Sequence, residues 1–163
     1  MHRITRAALI QASNALPDST DVHAIKQAMI EKHVPLIAQA AERGAKICCL
    51  QEIFSGPYFC AEQETRWYET AERIPDGPTI KLMQKLAKEH SMILVVPIYE
   101  KAMTGVYYNT AAIIGAHSIG CINCGSAFIT NRPRRSNTRD TCARIRCFKT
   151  NPVAADIVPA SHP

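Results

Sequence analysis

A chain of 163 residues has the length of one ordinary domain, and 47% hydrophobic against 20% charged residues is a globular composition that excludes a wholly disordered chain. No apolar run approaches the ~20 residues of a membrane-spanning helix, and the apolar part of MHRITRAALIQAS is too short and interrupted for a secretory leader, so a cytoplasmic address is expected. The net charge of +5 is not spread evenly: residues 1–115 hold 12 Lys+Arg and 12 Asp+Glu, whereas residues 116–163 hold 7 and 2.

In chain order, RITRAALIQ (residues 3–11) suits a short strand. Residues 21–44 read as helix, with Asp21 as N-cap and Gly44 as terminator. Pro35 falls inside and is expected to kink or split that helix, because proline lacks the backbone donor and crowds the preceding turn. AKICCL is a continuous apolar run, as expected of a strand covered on both faces. It ends at Glu52 and a loop rich in Gly, Pro and aromatics. A helix then begins near Pro78, with Ile80, Met83, Leu86 and Ala87 on one face and Lys81, Lys85 and Lys88 on the other. MILVVPIYE and VYYNTAAIIGA follow as two strands joined by KAMTG. This order points to an α/β layered fold.

Residues 116–163 differ in kind. They contain no Leu, Glu, Gln, Met, Tyr or Trp, although the first 115 residues use all six. Only Ala127–Thr130 resembles a strand, and the rest shows neither helix nor strand periodicity. Seven cysteines is an odd number, and with no leader visible they read as thiols rather than a disulfide framework.

Glu52 has two readings. A carboxylate after the apolar run Ile47-Cys48-Cys49-Leu50 is either a strand-end acid facing water or a partly desolvated general base. The residues around it decide which deserves pursuit: LQEIFSGPYFCAEQ, then IPDGPTIKLMQKLAKEHSMILVVPIYE, then VYYNTAAIIGA resemble the N-terminal part of the nitrilase, or carbon-nitrogen hydrolase, superfamily. The nearest branch is the N-carbamoyl-β-alanine amidohydrolases (β-ureidopropionases), with N-carbamoylputrescine amidases beside it. The resemblance covers residues 3–115 and implies the N-terminal portion of an α-β-β-α sandwich, incomplete here, with a Glu, Lys, Cys triad and no metal or cofactor. It implies that Glu52 takes the proton of a cysteine thiol. The thiolate would attack the carbonyl carbon of a small N-carbamoyl amine or amide, a lysine would steady the oxyanion, ammonia would leave and water would hydrolyse the thioester. Intact relatives commonly assemble, so a homo-oligomer is expected.

The resemblance stops at the tail. Where the family continues into a Gly-Lys-Tyr-Arg-Lys segment and later a Cys-Tyr segment, this chain reads HSIGCINCGSAF. Lys149, the only lysine after Gly115, has neither context, and Cys121, Cys124, Cys142 and Cys147 do not match. Cys49 reads as a small core hydrophobe, and Cys60 lies in a loop that the family uses for shape. The chain is therefore divided into residues 1–115, the N-terminal part of a hydrolase domain, and an aberrant basic tail, 116–163, disordered or produced by a shifted reading frame. On this reading it is a truncated, inactive member of the family. Its strands at 92–100 and 107–114 would have open edges and an uncovered apolar face, making it prone to aggregate or dependent on a partner. Two alternatives stand beside it. Cys121-x2-Cys124 and Cys142-x4-Cys147, seventeen residues apart with RPRR between, approach a four-thiolate zinc spacing in a nucleic-acid module. A non-catalytic fragment could also pair with intact homologues.

Overall fold

The structure, a computed structural model, describes residues 5–59, 64–116 and 119–123. Its elements are β1 (Ala7–Ile10), α1 (Val22–Glu42), β2 (Ile47–Leu50), a 3-10 helix (Thr65–Thr70), α2 (Pro78–Glu89), β3 (Ile93–Met103), β4 (Val106–Ile114) and β5 (Ile119–Asn123). Both helix starts follow from their residues. The Asp21 carboxylate accepts a hydrogen bond from the Ala24 amide at 2.9 Å, and Pro78 opens α2, where its missing N–H costs nothing. Gly44 ends the first helix at φ 82°, the left-handed geometry a glycine adopts freely. Pro35 does not split α1. It lies on the exposed side, where the carbonyl that loses its helix donor can turn to water.

The five strands form one sheet in the order β1-β2-β3-β4-β5, parallel from β1 to β3 and antiparallel from β3 to β5. Two expectations change here. The strands at 92–100 and 107–114 are interior, because β2 and β5 flank them, so the sheet edges among the described residues are β1 and β5. The strand β5 lies past the compositional break and pairs Ile119–Asn123 with Thr110–Ile114; the Ala127–Thr130 segment falls outside the described residues.

The strand AKICCL is also not covered on both faces. Cys48 and Leu50 are buried and Ile47 and Cys49 only half-buried, an alternation that β3 and β4 repeat. The buried set, with Leu94, Val96, Ile98, Ala112 and Ile114, packs against Ile30 and Ile37 of α1 and Ile80, Met83, Leu86 and Ala87 of α2. Both helices thus lie on one face, as two right-handed crossovers running in the same direction along β1-β2-β3 require. No helix among the described residues is long and apolar enough to cross a membrane.

Candidate active site at the carboxyl end of the parallel strands

In a parallel sheet the carboxyl ends of the strands lie together, and loops leaving them are the usual place for a site. Glu52 stands two residues beyond β2 at this end, with its side chain exposed. The turn that holds it is constrained. Ile53, buried and β-branched, sits at φ 47°, a left-handed conformation that costs about 1–3 kcal/mol and persists only where the surroundings enforce it. Burial of Ile53, Phe54 and Ser55 and the Gly56 amide bond to the Ile53 carbonyl at 3.1 Å supply that enforcement. The Gln51 side chain accepts from the Ala12 amide, tying the loop after β1 to the loop after β2.

Asn109 in β4 donates its side-chain amide to Glu52 Oε1. Register brings it there: Asn109 pairs with Tyr99 of β3, so the two side chains stand together on the sheet face opposite the helices. From Tyr99, the rings of Tyr107, Tyr68, Phe59 and Trp67 continue as a chain of contacts with centroids 4.6 to 6.2 Å apart. The result is a carboxylate with one oxygen fixed by an amide that stands opposite Tyr99, one ring of an aromatic wall. Asn109 and the wall did not emerge as site residues from the sequence. The available signal was a polar residue inside the run VYYNTAAII, where apolar residues are the rule.

The thiols near this strand are not activated. Burial, with the neighbouring Cys49 adding to it, pushes Cys48 up to about 11, and burial raises Cys49 as well. Both remain thiols at neutral pH, which agrees with Cys49 as a packing residue. Cys60, Cys124, Cys142, Cys147 and Lys149 lie outside the described residues, and of Cys121 only its place in β5 is described. Among the described residues no group of three His, Cys, Asp or Glu side chains could hold a metal ion.

A second acid, Glu72, belongs to a different arrangement. A groove of about 370 Å³, lined by His23, Lys26, Gln27, Glu72, Pro78 and Thr79 among others, lies where α1 meets the start of α2, and its lining excludes Glu52 and Asn109. Here Glu72 is buried and its valences are filled. It accepts from the Thr79 amide at 2.9 Å and from the Thr79 hydroxyl, and it is paired with Lys26 Nζ, which also donates to the Thr70 carbonyl at 2.7 Å. A carboxylate on the first turn of α2 complements the helix dipole. Glu72 thus anchors α2 to α1, and the groove is structural.

Comparison with known proteins gives the family and the fold. The carbon-nitrogen hydrolase family matches residues 6–120. The chain is 39% identical over 115 residues to a beta-ureidopropionase of Arabidopsis thaliana, covering 69% of this chain and 28% of that protein. It is 42% identical over 81 residues to an N-carbamoylputrescine amidase of the same plant, covering 50% of this chain and 27% of the relative. A carbon-nitrogen hydrolase from Helicobacter pylori G27 shares the fold with a TM-score of 0.57 at 21% identity, over 71% of this chain and 38% of that one. The chain therefore spans about a quarter to two fifths of the length of these three relatives.

Proposed function

Because the chain belongs to the carbon-nitrogen hydrolase family, we propose that residues 6–120 carry the acid side of an amidohydrolase site, with Glu52 as general base and a small linear N-carbamoyl amine or amide as substrate. The observation that carries this is the Glu52–Asn109 pair on a strained turn at the carboxyl end of a central parallel strand. Asn109 occupies Oε1 and leaves Oε2 to take a proton. A positioned base of this kind contributes ~10²–10⁴ in rate. The substrate class is supported by the relatives' names, beta-ureidopropionase and N-carbamoylputrescine amidase.

The chain alone does not turn over on this reading. Its described thiols are held protonated, and neither a Gly-Lys-Tyr-Arg-Lys nor a Cys-Tyr segment follows Gly115. Among the described residues no activated thiol stands by Glu52, and a base without a nucleophile does not open the covalent route. The compositional break supports a shifted reading frame as its cause, and resequencing the DNA across codon 115 tests that directly.

The base is tested in a chimera in which residues 6–120 replace the matching part of the plant beta-ureidopropionase. Ammonia release from N-carbamoyl-β-alanine is expected, and Glu52→Gln is expected to lower it by at least ~100-fold. A folded chimera that keeps its rate with Glu52→Gln removes the assignment.

A further inference from the structure

A buried group packed against the Glu52 turn is left unsatisfied. His33 is 0% exposed in α1, yet its Nε2 has no hydrogen-bond partner. A buried acceptor left unfilled costs free energy that an aliphatic side chain of similar size would not, so the imidazole calls for a reason. Its orientation supplies one. The Nδ1–H donates to the Met29 carbonyl one turn earlier at 2.8 Å, which fixes the plane of the ring. So held, the imidazole meets the Phe54 ring at a centroid distance of 5.1 Å and an interplanar angle of 77°. That near-perpendicular arrangement is one that aromatic pairs favour, and it fixes an orientation where methyl groups would only fill space.

We propose that His33 is a positioning residue for Glu52, acting through the ring of Phe54; its role in the reaction rests on the reading of Glu52 as the base. The link is short. Phe54 is 0% exposed and follows Ile53, whose left-handed φ of 47° needs outside support to persist. Glu52 comes just before Ile53, and its exposed side chain reaches Asn109 on a strand distant in sequence. The turn backbone therefore sets whether carboxylate and amide meet, and a displacement of about 1 Å is enough to part a hydrogen bond. Gln51 holds the near end of the turn through its bond to the Ala12 amide, and His33 holds the far end through Phe54. Without the second hold, Ile53 is free to relax toward an ordinary φ and to swing Glu52 away from Asn109.

The test follows the Asn109 side-chain amide in the NMR spectrum of the 163-residue chain, because that signal reports the bond to Glu52 in the folded state, whatever the stability. Glu52→Ala gives the unbonded position of the signal. His33→Leu keeps apolar bulk without an oriented ring, and is expected to move the signal more than half-way to that position. His33→Phe restores a ring and is expected to bring it most of the way back. Met83→Ala opens a cavity at a 0% exposed position of α2, and is expected to lower stability and leave the signal alone. A signal that stays in place in His33→Leu, that His33→Phe does not recover, or that Met83→Ala moves as far, overturns the proposal. So does a signal that Glu52→Ala leaves unmoved. Where His33→Leu does not fold, Phe54→Leu removes the other ring of the pair and is read in the same way. The base is judged separately by Glu52→Gln in the chimera. A rate that survives there removes the base and leaves a held Glu52–Asn109 pair, whereas a failure in the His33 variants removes the hold and leaves the base.

Discussion

The two faces of the sheet are built from the same strands with similar apolar content, yet they have different fates. Leu94, Val96 and Ile98 are buried beneath α1 and α2, whereas Ile93, Val95 and Pro97, their neighbours in β3, are exposed or half-buried. Hydrophobicity therefore does not decide which face is covered. The handedness of the two crossovers does, because it sends both helices to the same side. A fitted interior and an open surface should respond differently to the same chemical change.

The strongest contrast is within β3. Leu94→Ala leaves a cavity under both helices and is expected to cost about 2–5 kcal/mol in urea unfolding, while Ile93→Ala, one residue away, is expected to cost less than about 1 kcal/mol at concentrations where the chain is monomeric. Equal losses would mean that the open face is covered after all. Next comes the anchor of α2. Lys26→Met removes the partner of buried Glu72, and because the two Thr79 donors remain, the expected loss is about 2–3 kcal/mol, below the usual range for breaking a buried pair. A neutral result would mean that Thr79 alone satisfies the carboxylate. Smaller again is Gly77→Ala. A Cβ at Gly77 would lie 2.4 Å from Glu72 Oε2 and 2.7 Å from the Arg73 carbonyl, so about 1–3 kcal/mol is expected as the loop gives way. Relief of that loss by Glu72→Ala would identify the carboxylate as the obstacle.

The local signals were legible in the sequence. The buried face of α2, the Asp21 cap, the Gly44 terminator and the position of Glu52 all follow from residue type and spacing. The alternation of β2 was not legible, since ICCL is apolar at every position and only the placement of the helices shows that Ile47 and Cys49 lack cover. Register was equally hidden. That β3 and β4 are interior strands, and that Asn109 stands opposite Tyr99 within reach of Glu52, depends on pairings between distant segments that no periodicity encodes. Lys26 and Glu72 each look like solvated surface charges until folding brings them together, for the same reason.

The smallest effect concerns the covered side and reaches the turn of Glu52. His33 is buried in α1; its Nδ1–H donates to the Met29 carbonyl at 2.8 Å, and its Nε2 has no hydrogen-bond partner. Its ring meets Phe54, in the turn after Glu52, edge-on at 5.1 Å. Burial lowers its pKa, the bond to Met29 opposes that, and the charge of Lys32 lowers it further. The unfolded value is about 6.5 and the folded one lies below it, so the stability contributed by the neutral ring is present above ~6.5 and is lost as pH falls from there through the folded value. The urea midpoint should therefore drop between pH 7.5 and pH 5, and His33→Gln, which cannot take a proton, should flatten that drop. An open face would feel none of this, since a histidine in water keeps the same affinity for protons on unfolding. An unchanged slope in the variant would place the pH sensitivity elsewhere and leave Phe54 and the Glu52 turn unconnected to it.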